Sequence, residues 1–145
     1  MHILNSLRSI ISFSAIIVSG GGGGLNSKNS AEILIEDGKT FKSCSLPNLP
    51  DSRYHHTQSG ATLCGGYGDD DDDRMHSTCL TFSNSKWKES HTLLEPWIYQ
   101  SSWSSPNGIL LMGNTASKEN YGRGTELLND DGTSSKQFDL KHTTS

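Results

Sequence analysis

The sequence predicts an all-β chain made of about three antiparallel units, each of four short strands. Three observations carry this prediction. First, three apolar runs end in small residues at nearly even spacing: Ile16-Ile17-Val18-Ser19-Gly20-Gly21, Ala61-Thr62-Leu63-Cys64-Gly65-Gly66 and Ile109-Leu110-Leu111-Met112-Gly113-Asn114. Gly20 to Gly65 is 45 positions and Gly65 to Gly113 is 48. Second, each is followed by another short run (Ala31-Glu32-Ile33-Leu34-Ile35, Ser77-Thr78-Cys79-Leu80-Thr81-Phe82, Thr125-Glu126-Leu127-Leu128), a polar turn and an aromatic: Phe41, Trp87 and Phe138. Third, no segment holds a 3.6-residue apolar period over three turns, so helix should be close to nil outside a leader. Recurrence in the same order three times marks a repeat, the feature to settle before any other.

The first residues carry two conflicting readings. Arg8, the run from Ile10 to Val18 and the small residues Ser19 and Gly20 have the make-up of a secretory signal peptide. The run is too short to span a bilayer as a helix, which takes about 20 apolar residues. Alternatively Ala15 to Val18, rich in β-branched residues, is a buried strand ending at Gly20-Gly21. Cleavage after Gly20 would remove that strand. The repeat favours the strand, leaving 1–14 as the leader and setting the units at 15–50, 51–95 and 96–145.

Within the units, Arg53-Tyr54-His55-His56-Thr57-Gln58-Ser59-Gly60 and Trp97-Ile98-Tyr99-Gln100-Ser101-Ser102-Trp103-Ser104 alternate bulky and small polar residues, as half-buried strands do. Each precedes a glycine-ended run, and the first unit lacks such an opening strand. The turns Glu36-Asp37-Gly38-Lys39, Ser83-Asn84-Ser85-Lys86 and Asn129-Asp130-Asp131-Gly132 use residues that tolerate the left-handed conformation.

Composition agrees. Of 145 residues, 32% are hydrophobic and 15 are glycine, too little apolar matter for a large helical core. Twelve basic against 16 acidic side chains give a net charge of −4 and no basic stripe for a phosphate backbone, which argues against nucleic acid. Nothing in the composition identifies an enzyme.

Gly-Gly, a variable loop, a strand, a turn and then Trp87, at this period, resemble the kelch repeat. The stretch from Cys44-Ser45-Leu46-Pro47 through Arg53-Tyr54-His55-His56 to Cys64-Gly65-Gly66 is similar to kelch-like proteins of marine invertebrates. So is the stretch from His91-Thr92-Leu93-Leu94 through Trp103-Ser104 to Leu110-Leu111-Met112-Gly113. The resemblance runs from about Ala15 to the C-terminus. Only the second unit carries Gly-Gly and Trp together; the first has Phe41 in the Trp place, and the third has Asn114 for the second Gly and Phe138 for Trp.

The resemblance implies a partial kelch-type β-propeller, each unit being one four-stranded blade of a fold that closes with four to eight. Three blades leave sheet faces without partners, so the chain is expected to be a fragment or truncated product of a larger propeller, or to self-associate through open blade faces. A non-catalytic protein-interaction module follows, binding an unknown protein partner through its loops, with no cofactor, no nucleic acid and no membrane. The alternatives are a degenerate member of a galactose-oxidase-like propeller enzyme family without an intact site, and a truncation that does not fold stably by itself. Trp87 is expected to be largely buried against a neighbouring blade.

In a kelch blade the strands bearing Cys64 and Cys79 are antiparallel neighbours, so their sulfurs could approach bonding distance. With Cys44 the count is odd, and buried free thiols are the reading favoured over a bridge. The odd cysteine and the absence of an Asn-x-Ser/Thr sequon fit the cytoplasm; the leader fits secretion, where the balance falls.

Other motifs read as ordinary structure. Gly20 to Gly24 lacks the Lys-Ser/Thr and helix that a phosphate loop needs, and is a turn. Asp69 to Asp73 lacks the alternating ligands, bend glycine and closing Glu of a Ca²⁺ loop, and is a solvated inter-strand loop. His55, His56, His76 and His91 match no zinc spacing, with His55 and His56 expected on opposite faces of a strand. No Gly-x-Ser-x-Gly occurs, and no Tyr/Cys/His copper set can be assembled.

Overall fold

The computed structural model describes residues 15–21, 29–68, 75–115 and 123–139. Among these no helix forms, and eleven strands build three antiparallel sheets. The first sheet holds β1 (Ala15–Ser19), β2 (Ala31–Asp37) and β3 (Thr40–Leu46), in that order. The second holds β4 (Thr57–Ser59), β5 (Thr62–Cys64), β6 (Thr78–Ser83) and β7 (Lys86–Thr92). The third holds β8 (Trp97–Ser105), β9 (Gly108–Thr115), β10 (Arg123–Leu128) and β11 (Ser134–Asp139). Each sheet is a meander, and each lies within one of the expected units 15–50, 51–95 and 96–145. The leader over 1–14, Gly22 to Gly24 and the Asp69–Asp73 run lie outside the described residues.

Local chemistry explains the hairpins. Asn84 and Ser85 both take positive φ, 50° and 61°, the pattern of a two-residue turn whose twist suits the flanking strands β6 and β7. In the turn after β10, the Asp131 carboxylate accepts from the Thr133 amide at 2.9 Å and from its hydroxyl at 2.6 Å. Those two bonds hold the Asp131 carboxyl below the usual carboxylate range.

The glycine-ended runs take matching places. β1, β5 and β9 each stand next to the strand that follows in sequence, and residues 19, 64 and 112 each form a cross-strand pair: Ser19 with Ala31, Cys64 with Cys79, Met112 with Thr125. One residue earlier the pairs are Val18 with Glu32, Leu63 with Leu80 and Leu111 with Glu126. Neighbours along a strand face opposite ways, so each sheet has a near face carrying the second set and a far face carrying the first.

The core lies between sheets. Leu63 and Leu80 pack with Leu49, from the segment that joins the first two sheets, and half-buried Trp87 leans on them. Leu111, Leu128 and Trp97 of the third sheet pack on Cys64 and Cys79 of the second, with Leu93. Near faces therefore look back along the chain and far faces look forward.

Five expectations need correction. Ala15 to Val18 do form a strand, but not a buried one: Ile16 and Val18 are exposed, because no sheet packs on that face among the described residues. Arg53 to Gly60 is not one strand: only Thr57–Ser59 is, with Tyr54 bridged to Tyr67, because His55 turns the backbone to φ 55°. His55 and His56 therefore do not alternate across a strand. The favoured free thiols are replaced by a bond, since Cys64 and Cys79 are a directly opposed pair and their sulfurs are joined; Cys44 on β3 is free and exposed. Trp87 is half-buried rather than buried: it sits at an outer strand, its indole donating to the Pro47 carbonyl at 2.9 Å and its ring 5.2 Å from Phe82. Finally, the three aromatics are not equivalent. Phe41 is 57% exposed, and Phe138 stands near the end of β11 whereas Phe41 and Trp87 are the second residues of their strands.

Candidate functional site

The repeat supplies its own internal control for what each position should look like. On the near face, Leu63 and Leu111 are both 0% exposed, while Val18, in the matching place, is 51% exposed. Ile16, two residues earlier on the same side of β1, is 55% exposed. Glu126 is fully buried, but its counterpart Glu32 is exposed and accepts from the Ser43 hydroxyl of its own sheet, at 2.7 Å. The near face of the first sheet thus carries side chains of interface type with no sheet packed on them among the described residues.

The inner edge of β1 is open in the same way. In the second and third sheets a strand precedes the glycine-ended one, β4 before β5 and β8 before β9; among the described residues β1 pairs with β2 alone. The Gly20 amide donates to Ser30, which makes Ile16 and Val18 the residues bonded to β2 and turns the peptide groups of Ile17 and Ser19 outward. Gln58 of β4 answers part of that edge: its amide nitrogen donates to the Ile17 carbonyl at 2.7 Å, and its amide oxygen accepts from the Ser19 hydroxyl at 2.9 Å. Beside them runs an open groove of about 420 Å³ lined by Ala15 to Ser19, Gln58 and Gly60. By contrast β4 and β8 are zipped together, with Thr57 donating to the Ser102 hydroxyl at 3.0 Å and Ser102 to the Gln58 carbonyl at 3.0 Å.

Behind this edge the glycine pairs make the seams between sheets. The Gly21 amide donates to the Arg53 carbonyl at 3.0 Å, and the Gly66 amide to the Trp97 carbonyl at 2.9 Å. A Cβ at Gly20 would stand 2.4 Å from the Arg53 oxygen, and one at Gly65 the same distance from the Trp97 oxygen. Only glycine lets the backbones meet, and both positions also need φ above +60°.

Arg53 and Trp97, at matching places, are both buried and each meets a carboxylate. The Arg53 guanidinium grips Asp51 through two bonds of 2.7 and 3.1 Å and donates to the carbonyl and hydroxyl of Thr78. The Trp97 indole donates to Glu126 at 2.7 Å, and the Leu94 amide to the other oxygen at 2.9 Å. Three residues on, His56 and Gln100 also correspond. Gln100 donates to the Cys64 carbonyl at 2.8 Å and the His56 ring bonds to Ser19 and Arg53 backbone; the His56 Nδ1 and Gln100 Oε1 atoms are buried without a hydrogen bond. Burial, then the Arg53 charge, lowers the His56 pKa from its ordinary value.

The other candidate residues do not converge. His55 lies edge-on to Tyr54 and Tyr67, His76 Nδ1 is 3.7 Å from Asp51, and His91 bonds to the Asn129 carbonyl and the Ser90 hydroxyl. Among the described residues no three His, Cys, Asp or Glu side chains group as metal ligands, and no helix is long and apolar enough to cross a membrane. Sequence reasoning missed Ile16, Val18 and Gln58. Aligning Val18 with Leu63 and Leu111 marks it as an interface position, but its exposure shows only in the structure.

No protein family and no curated protein matches the sequence. Among solved structures, that of YjhT is similar, with a TM-score of 0.65 at 19% identity over 86% of this chain. The likeness is one of fold. This chain spans 42% of the length of that structure.

Proposed function

We propose that this chain is a non-catalytic protein-interaction module, three kelch-type blades of a partial β-propeller, whose contact surface is centred on β1. The observation that supports the reading is the exposure of Val18 where the repeat elsewhere buries leucine completely, with Ile16 exposed beside it on the same face. Full burial of two such side chains is worth roughly 1.5–3 kcal/mol each, a useful core for a contact. The outward amides of Ile17 and Ser19 add backbone donors along the edge of β1, of the kind that pair with an extended segment in strand addition. Loops on this rigid scaffold would widen the contact.

Selection of displayed random peptides against the dilute full chain tests this reading. Enrichment of peptides with alternating apolar residues is expected, binding the native chain and losing Val18→Asp. A selection that yields only peptides indifferent to Val18→Asp would overturn it.

A further inference from the structure

Resting on the reading of β1 as a contact surface, we propose that its occupant is a second copy of this chain, seating the far face of its third sheet on Ile16 and Val18. The far face is defined by register. Trp103 pairs with Leu110, and Leu110 with Leu127, so the three form one apolar row across β8, β9 and β10. Leu111 and Leu128, alternating with them, point the other way into the core against Cys64 and Cys79. Trp103, on the edge strand β8, is 58% exposed, and among the described residues no other sheet packs on this face; a large exposed aromatic is the kind of residue that anchors protein contacts.

The two end faces are the missing halves of a contact that the chain already makes twice. The far face of the first sheet meets the near face of the second through Ser19 on Gln58, with Leu49 of the joining segment covering Leu63 and Leu80, and the far face of the second meets the near face of the third through Cys64 and Cys79 on Leu111 and Leu128. Among the described residues what remains is one near face, bearing Ile16 and Val18, and one far face, bearing Trp103, Leu110 and Leu127. The residues of the far-face row are uncharged, so Glu32 on the near face meets no like charge from them.

Near face on far face is a heterologous contact, which closes into a ring or runs on as a filament according to the rotation it imposes. Two copies with three sheets each supply six, inside the range of four to eight at which propellers close. Both end faces of both copies are then covered by one contact made twice.

Sedimentation velocity of the full chain, of Val18→Asp, of Trp103→Lys and of their equimolar mixture tests the proposal. A discrete dimer is expected for the native chain. Each variant alone is expected to need about a hundredfold higher concentration to dimerise, as a charge in an apolar contact would demand. The mixture is expected to recover a dimer, because one of its two contacts is native and the other pairs Asp with Lys. Near-UV circular dichroism verifies the fold of each variant, and Ile16→Asp with Leu110→Lys repeats the cycle should either misfold. A native chain that stays monomeric, or a Trp103→Lys variant that dimerises like it, overturns the proposal. If the monomer still selects Val18-dependent peptides, only the second copy is wrong; if it selects none, the contact surface falls too.

Discussion

The Gly66 amide donates to the Trp97 carbonyl at 2.9 Å, drawing the backbone of the second sheet onto the opening strand of the third. The same bond joins Gly21 to Arg53 one unit earlier. The first glycine of each pair gives the room and the second gives the donor, so the repeated dipeptide is a joint between sheets as well as a strand end.

Gly65→Ala is therefore expected to be far more damaging than Gly38→Ala. Both have φ of +66°, but a Cβ at Gly38 meets nothing within 4 Å while one at Gly65 meets the Trp97 oxygen at 2.4 Å. Left-handed strain alone predicts a loss of about 1–2 kcal/mol for Gly38→Ala. Gly65→Ala should lose about 3 kcal/mol or more, since the backbones must part as well. Urea unfolding of the two variants measures the difference.

Removing the Cys64–Cys79 bond should lower stability substantially. Its loop spans a sequence separation of 15. For a closed loop of about that length, chain entropy predicts a loss of about 3 kcal/mol. Denaturation midpoints of the Cys64→Ala/Cys79→Ala variant against the native chain give the value, and a shift below about 1 kcal/mol would contradict it.

Stability should fall as the solution is acidified. The His56 pKa is lowered on folding, so the unfolded chain takes up this proton first. The contribution of a neutral His56 is whole above the ordinary value of 6.5 and is lost as pH falls from there towards the folded pKa. His56→Gln, which copies Gln100 at the matching place, should flatten that part of the pH profile of the melting temperature. An unchanged profile would place the sensitivity elsewhere.

Trp97→Phe should cost about 1–3 kcal/mol, because it leaves the buried Glu126 carboxylate with one donor fewer. Pairing it with Glu126→Gln in a double-mutant cycle isolates the bond from the loss of packing. A coupling near zero would show that the indole acts through its bulk alone.

Much of this architecture was legible because it is local. Period-2 alternation, β-branched runs and Asn, Asp or Gly turns mark strands and hairpins from sequence neighbours, and the glycine spacing marked the repeat. What stayed hidden depends on residues far apart in the chain. The positive φ of His55 is imposed where Tyr54 bridges Tyr67, so a segment that alternates like a strand folds as a bend. The exposure of Val18 depends on what stands beyond the first sheet, which no window of residues around it encodes. Gln58 looks like an ordinary strand residue until β1 is placed beside it. Phe138 shows the opposite failure, an aromatic counted into the pattern whose place in β11 differs from that of Phe41 and Trp87.

The cystine at the base of β5 and β6 also sets the covalent connectivity of the molecule. A protease that nicks the backbone anywhere from residue 65 to residue 78 cuts the polymer without releasing a fragment, since the two ends stay tied through sulfur. Such a nicked chain gains only the water of hydrolysis in mass and divides into two pieces only after reduction. The stretch that holds the five consecutive aspartates thus lies on a tether, where breakage of the main chain does not separate the first sheet from the third.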